Sequence, residues 1–341
     1  MVLGKLDELR ALGRLSSFLA RLSHQPDVVQ PDPLLRERVG LRTAAGTLFD
    51  LFEPRASSGD PLVALHGCTL NGKDDARLQH FSRCLARAGR SVYVPTLPAL
   101  AEARWSAQDV EVLVELVDEI HARSGQPVDL IGFSFSSSYA LVGAARPHIA
   151  DKVRTLLGFG AYCSFPETYR LMIESYSRSQ VPDDEWDDHI YLHLITAYRQ
   201  RQRLGLAPEL IEQMERLLRD YCHPATAEEK RAFFEHKLRG LDALKVEREH
   251  LDWSVLEALS PAGKLGGLRC PVYLLHDPSD PLVPPGQARL LLDELRERSG
   301  APEQRLLFTS MLQHVSLADV FNLGEVRRLL ASLLPLIGRQ V

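Results

Sequence analysis

The sequence predicts an α/β protein: a mostly parallel central sheet with helices on both faces and a helical insertion. Three observations predict it. Short, uniformly apolar runs recur along the first half of the chain, as expected for strands buried on both faces. Amphipathic segments separate them, giving the alternation of strand and helix that builds a parallel sheet. That alternation stops at about Gly160 and resumes near Cys270, with a charge-dense stretch of helical period between.

The elements follow in order. Residues 1–30 carry Leu3, Leu6, Leu9, Leu12, Leu15, Leu19 and Leu22 at three- and four-residue steps, one apolar stripe of an amphipathic helix. Its first use is packing on the body of the protein; membrane or partner contact is the other. After Pro31-Asp32-Pro33, residues 36–43 and 47–53 read as strands around the turn at Ala45-Gly46, and a Ser57-Ser58-Gly59-Asp60 loop follows. Leu62-Val63-Ala64-Leu65 is a buried strand, 75–89 a helix ended by Gly89, and Ser91-Val92-Tyr93-Val94 a strand stopped by Pro95. Residues 106–123 are helical, Val128-Asp129-Leu130-Ile131 is a strand, 135–146 a helix, and Val153 to Phe159 a strand. Within 161–261 the clearest helices are 183–203, 208–221 and 226–249, with Pro182, Pro208 and Pro224 placed where helices start. Then come a strand at Val272-Tyr273-Leu274-Leu275, a helix over 286–298, a strand from Arg305 to Phe308 and a last helix over 322–337. The expected organisation is an N-terminal helix (1–30), a core formed by 31–160 and 262–341, and a helical cap or lid (161–261).

Composition narrows the function classes. The chain has 341 residues, 45% hydrophobic and 25% charged, an ordinary globular balance that supplies enough apolar surface to bury a whole sheet. The net charge is −5 and no basic stretch is interleaved with aromatics, which argues against nucleic acid as a partner. Charged residues interrupt the N-terminal stretch, so it does not read as a signal peptide, and no run reaches the ~18 apolar residues of a membrane span. The five cysteines (Cys68, Cys84, Cys163, Cys222, Cys270) are scattered and never spaced CxxC, which predicts buried free thiols in a cytoplasmic protein.

Polar residues at the ends of apolar strands carry the chemistry. In Ile131-Gly132-Phe133-Ser134-Phe135-Ser136 a buried strand runs through a glycine into a serine and then a helix. A sharp strand-to-helix turn needs small residues two before and two after the serine, and it lifts the hydroxyl above the sheet at a helix N-terminus. The usual pattern is GxSxG; here Ser136 replaces the last glycine. Ser136, Ser137 and Ser138 fall inside the helix, which favours Ser134 as nucleophile over them, while an N-cap serine is the alternative use of Ser134. A second polar loop, His276-Asp277-Pro278-Ser279-Asp280-Pro281, follows a later strand and offers two acids. The third, Thr309-Ser310-Met311-Leu312-Gln313-His314, follows the final strand and offers one histidine. Singly each is ordinary turn chemistry. Together, serine, acid and histidine each follow a separate parallel strand, so their loops emerge at one sheet edge. A fourth loop, His66-Gly67-Cys68-Thr69, would let backbone N–H groups face that site and, with the N–H of Phe135, form an oxyanion hole. His189 and His193 stand four apart on a helix, but no glutamate follows the first, so the HExxH zinc pattern fails and no metal is expected.

On these residues the chain resembles the α/β-hydrolase superfamily, in its cap-bearing branch of esterases, lipases, peptidases and thioesterases. The resemblance covers roughly 36–160 and 262–340; the cap carries no motif of its own. It implies a triad of Ser134, Asp280 and His314, because Asp280-Pro281-Leu282-Val283-Pro284 looks like the family's D-x-x-V-P acid loop and so favours Asp280 over Asp277. It also implies that His66-Gly67 is the oxyanion turn, pointing to the N–H of Cys68 beside that of Phe135. Gln313 stands where glycine commonly precedes the family histidine. The expected function is hydrolysis of a carboxylic ester or thioester of a small-molecule acyl substrate through a Ser134 acyl-enzyme, with no cofactor. Acyl transfer with the same triad, and an inactive hydrolase-fold binding protein, are the alternatives. The aromatic residues of the cap (Tyr169, Tyr176, Trp186, Tyr191, Tyr198, Phe233, Phe234, Trp253) are read as cap core first and acyl-pocket lining second.

Overall fold

The computed structural model describes residues 32–56, 59–176, 186–220, 227–298, 302–310, 312–313 and 316–317. The expected helices over 1–30 and 322–337, the helix starts at Pro182 and Pro224, Cys222 and His314 lie outside the described residues.

Eight strands form one sheet: β1 (Leu35–Arg42), β2 (Leu48–Pro54), β3 (Pro61–Leu65), β4 (Ser91–Pro95), β5 (Val128–Phe133), β6 (Val153–Phe159), β7 (Val272–His276) and β8 (Gln304–Phe308). Their order is β1-β2-β4-β3-β5-β6-β7-β8. β1–β2 and β2–β4 pair antiparallel; every pairing from β4 onward is parallel. The mostly parallel α/β architecture is as the sequence predicts.

The apolar strands are legible because successive side chains enter different layers. Val63 and Leu65 of β3, Leu130 of β5 and Val272 and Leu274 of β7 join one apolar cluster. Leu62 and Ala64, Ile131, and Tyr273 and Leu275 join another. A period of two with both faces covered turns alternation into a continuous apolar run. The second cluster is closed by α1 (Ala76–Arg87), through Leu78, Phe81, Cys84 and Leu85. The first is closed by α3 (Gln108–Ser124) and α4 (Phe135–Ala144), with the short α2 (Pro98–Ala101) ahead of them.

Between β6 and β7 lie α5 (Phe165–Tyr176), α6 (Trp186–Arg199), α7 (Pro208–Arg219), α8 (Ala227–Phe233), α9 (Ala243–His250) and α10 (Trp253–Ala258); α11 (Pro285–Glu297) follows β7. The helices between β6 and β7 share the first cluster, through Met172, Ile190, Leu194 and Met214. Aromatic packing continues across the junction: Trp105 lies 5.0 Å from Phe135 and 5.1 Å from Phe165, centroid to centroid. One expectation is corrected. The single helix over 226–249 is broken: α8 passes into a π turn at Phe234–Leu238, and α9 starts afresh where the Asp242 side chain accepts the N–H of Lys245. An N-capping aspartate two residues after Gly240 satisfies a helix N-terminus, which continuing the earlier helix would not need.

Candidate active site

Ser134 stands between β5 and α4 with φ 57° and ψ −128°, one of two non-glycine residues with positive φ among those described. A side chain held there stores backbone strain of about 1–3 kcal/mol. The turn is held from outside: the Ser134 N–H donates to Phe159 O (2.7 Å) at the end of β6. Gly132 is obligatory, because a Cβ there would lie 2.5 Å from Ser137 Cα, where α4 passes over β5. Ser136 accommodates the glycine position of the pattern: its hydroxyl lies 3.2 Å from Leu65 O and 3.0 Å from Phe133 O, and accepts the Phe133 N–H at 3.0 Å. The Ser137 hydroxyl donates to Phe159 O (2.8 Å) and that of Ser138 to Tyr162 O (2.9 Å). All three are buried within α4 and engaged with backbone, whereas Ser134 stands at the turn ahead of the helix.

The loop after β3 passes beside it. A Cβ on Gly67 would lie 3.3 Å from Phe133 O and 3.6 Å from Ser134 Cβ, so a side chain there would need the Ser134 turn to give by a few tenths of an ångström. His66, fully buried, fixes the turn. Its Nδ1 lies 2.8 Å from Gly67 O and its Nε2 2.9 Å from the Leu97 N–H. Since a carbonyl accepts and an N–H donates, the ring is neutral with the proton on Nδ1. Burial pushes it down to about 4, against the upward pull of the Gly67 hydrogen bond. Pinning Gly67 O also directs the Cys68 N–H the opposite way, because the two ends of a planar trans peptide point apart. Among the described residues no hydrogen bond uses the N–H of Cys68 or of Phe135. Burial pushes the Cys68 thiol up to about 12, which removes it as a thiolate nucleophile at neutral pH.

Asp280 lies in the loop after β7 and is buried. Its Oδ1 accepts the N–H groups of Leu282 and Val283, both at 2.9 Å, and its Oδ2 is 3.7 Å from His276 Nε2. Asp277 instead accepts the N–H and hydroxyl of Ser279 at 2.9 and 2.8 Å, a local turn. β8 ends next to this loop, with the Thr309 N–H on His276 O at 3.0 Å. His314, five residues further on, lies outside the described residues; its flanks, Leu312–Gln313 and Ser316–Leu317, pair antiparallel.

One cavity joins these loops. Its lining includes Cys68 after β3, Phe135 after β5 and Leu282 after β7, with Trp105 beside them. Across from them stand Met172 of α5 and Tyr191, Leu192, Ile195 and Arg199 of α6. Of the aromatic residues singled out between β6 and β7 whose side chains are described, Tyr191 lines this cavity. Tyr169 is buried beneath Glu247, Tyr198 packs against Arg201, and Phe233 and Phe234 are buried, while Trp253 is exposed. Trp105, Met172, Leu192, Ile195 and Leu282 carry no chemical signature in the sequence, and only the folded chain brings them together. His189 and His193 lie 4.5 Å apart, centroid to centroid, with tilted rings that pack on Phe234, and burial, then His193, pushes His189 down to about 4.

Comparison with known proteins bears on the architecture. A Staphylococcus aureus protein assigned as an esterase superposes with TM-score 0.51 at 12% identity, over 93% of this chain and 88% of that one. DcsB in complex with its substrate analogue gives 0.51 at 14% identity, over 88% and 99%. The chain has the α/β-hydrolase fold. The Pyrococcus furiosus esterase PF2001 also matches, at TM-score 0.48 and 11% identity, over 91% and 96% of the two chains. No protein-family model and no curated protein matches the sequence. Among the described residues no helix is long and apolar enough to cross a membrane.

Proposed function

We propose that this chain is a serine hydrolase that cleaves a carboxylic ester or thioester through an acyl-enzyme on Ser134. The observation that carries the reading is the convergence of the loops after β3, β5 and β7 on one cavity, with Ser134 held at a strained turn beside Gly67. Strain of this kind persists where the surrounding structure holds a side chain in a working position.

In this reading the Ser134 Oγ attacks the acyl carbonyl while His314 takes its proton as general base. Asp280 orients the imidazole and stabilises the imidazolium. The N–H groups of Cys68 and Phe135 receive the developing oxyanion, each donor being worth about 3–4 kcal/mol in the transition state. His314 then protonates the leaving alcohol or thiol, and water, activated by the same imidazole, releases the acid. The helices between β6 and β7 serve as the cap, residues 161–261, over a core of 31–160 and 262–341. The esterase assignment of the Staphylococcus aureus neighbour agrees with this chemistry.

The test is hydrolysis of p-nitrophenyl butyrate by wild type and by Ser134→Ala and His314→Ala. Losses of at least ~10³-fold in kcat/KM for both variants, with folded circular-dichroism spectra, are expected. Equal rates for Ser134→Ala and wild type overturn the proposal.

A further inference from the structure

The cavity beside Ser134 has a composition that selects a ligand. Its walls are apolar on both sides: Trp105, Phe135 and Leu282 from the core, and Met172, Leu192 and Ile195 from α5 and α6. The charged residue in its lining, Arg199, is already committed. Its Nε is 2.7 Å from Glu247 Oε1, its Nη1 donates to Ala103 O at 3.0 Å, and its guanidinium lies 4.8 Å from the Trp105 ring centroid. Glu247 is fully buried and also accepts the Tyr169 hydroxyl and the Gln200 amide. A cation neutralised by a buried carboxylate gives an incoming anion no net attraction, and an anionic chain would lose its hydration against these walls. The cavity itself is small, about 20 Å³ open to the centre of a water-sized sphere, which leaves room for a compact group only.

Resting on the proposed acyl-enzyme chemistry, we infer that this cavity is the acyl pocket and that it takes a compact, uncharged aliphatic acyl group. Cys68 and Phe135, whose N–H groups receive the carbonyl oxygen in that reading, are themselves part of the lining. In that reading the pocket adjoins the position of the acyl carbon, since Phe135 directly follows Ser134 in the chain. Each methylene covered by the walls is worth about fourfold in kcat/KM.

The experiment is a panel of p-nitrophenyl esters from acetate to laurate, with the singly charged succinate, beside a series of alkyl butyrates. The acyl series is expected to rise at least tenfold from acetate to a maximum at butyrate or hexanoate and to fall by laurate. Succinate is expected at least a hundredfold below butyrate, and the alcohol series to vary less than the acyl series. Ile195→Trp should move the maximum to shorter chains and Ile195→Ala to longer ones. A flat acyl series, a preference for succinate, or selectivity residing in the alcohol overturns the assignment. Phosphonylation of Ser134 by a fluorophosphonate separates the two failures: labelling with a flat profile sinks only the pocket, whereas no labelling and no hydrolysis sink the hydrolase reading beneath it.

A separate hydrogen bond carries a second inference. The Tyr191 hydroxyl of α6 donates to Cys68 O at 2.5 Å, and Arg219 of α7 donates to Leu70 O at 2.7 Å. His66 holds the peptide before Cys68 and Tyr191 the peptide after it. The geometry points to Tyr191 as a positioning residue that fixes the Cys68 N–H from the insertion side. Tyr191→Phe keeps the ring in the cavity wall and removes that bond. It should lower kcat for p-nitrophenyl butyrate about tenfold with KM changed less than twofold and the thermal midpoint unchanged. A raised KM at constant kcat, or no effect, overturns the role.

Discussion

At Ser134 the backbone is bent into a region that favours glycine. Ser134→Gly therefore relieves strain while abolishing the hydroxyl. The variant should gain about 1 kcal/mol in stability, read as a raised thermal midpoint, and lose hydrolysis. Gly132 makes the opposite point. Gly132→Ala places a Cβ 2.5 Å from Ser137 Cα, so α4 must move off β5. Destabilisation of about 1–3 kcal/mol and lost activity are expected together, by urea titration and ester assay. Both residues are legible in the sequence because the turn admits so few residue types. The serine that replaces the second glycine is not disqualifying, since its hydroxyl satisfies the strand backbone beside it. The role of His66 is not legible: a histidine before a glycine says nothing of the Leu97 N–H it accepts thirty-one residues away.

Among the elements, the strands buried on both faces were readable because their apolar runs admit no other use. α10 is not, since six residues are too short to show a helical period; α5 is not singled out either, although its length matches that of α7. The cavity lining was hidden for another reason: Met172, Leu192 and Ile195 look like any core residue until α5 and α6 are docked. What docks them is a buried polar cluster, in which Glu247 of α9 accepts from Tyr169 of α5 and from Arg199 and Gln200. Glu247→Ala strands the Arg199 guanidinium without its counter-charge. A loss of about 3–5 kcal/mol is expected in urea unfolding, whereas Glu247→Gln should lose less.

Among the described residues, His66, His189 and Asp109 couple stability to pH. His66 and His189 titrate near 4 in the fold against an ordinary 6.5, both chiefly through burial. Between those values the unfolded chain binds more protons, so their contribution is present above 6.5 and is lost as pH falls toward 4. For His66 this amounts to about 3 kcal/mol. Asp109, which burial pushes up to about 6 while it accepts the N–H groups of Ala99 and Leu100, runs the other way. Its contribution is present below the ordinary 3.8 and is lost as pH rises through 6. Urea midpoints at pH 7 and pH 4.5 should therefore differ less in His66→Gln than in wild type, and more in Asp109→Asn. Equal pH dependence in all three proteins would contradict the assignment. The parallel sheet was the most legible feature of the molecule, and it brings the Ser134 and Asp280 loops to one edge.

The most direct measurement is mass spectrometry of the protein after treatment with a fluorophosphonate. The account predicts one adduct per chain, carried on the peptide that contains Ser134, and none on Ser134→Ala. An adduct on any other residue, or an unmodified wild-type chain under conditions that label a known serine esterase, would contradict it.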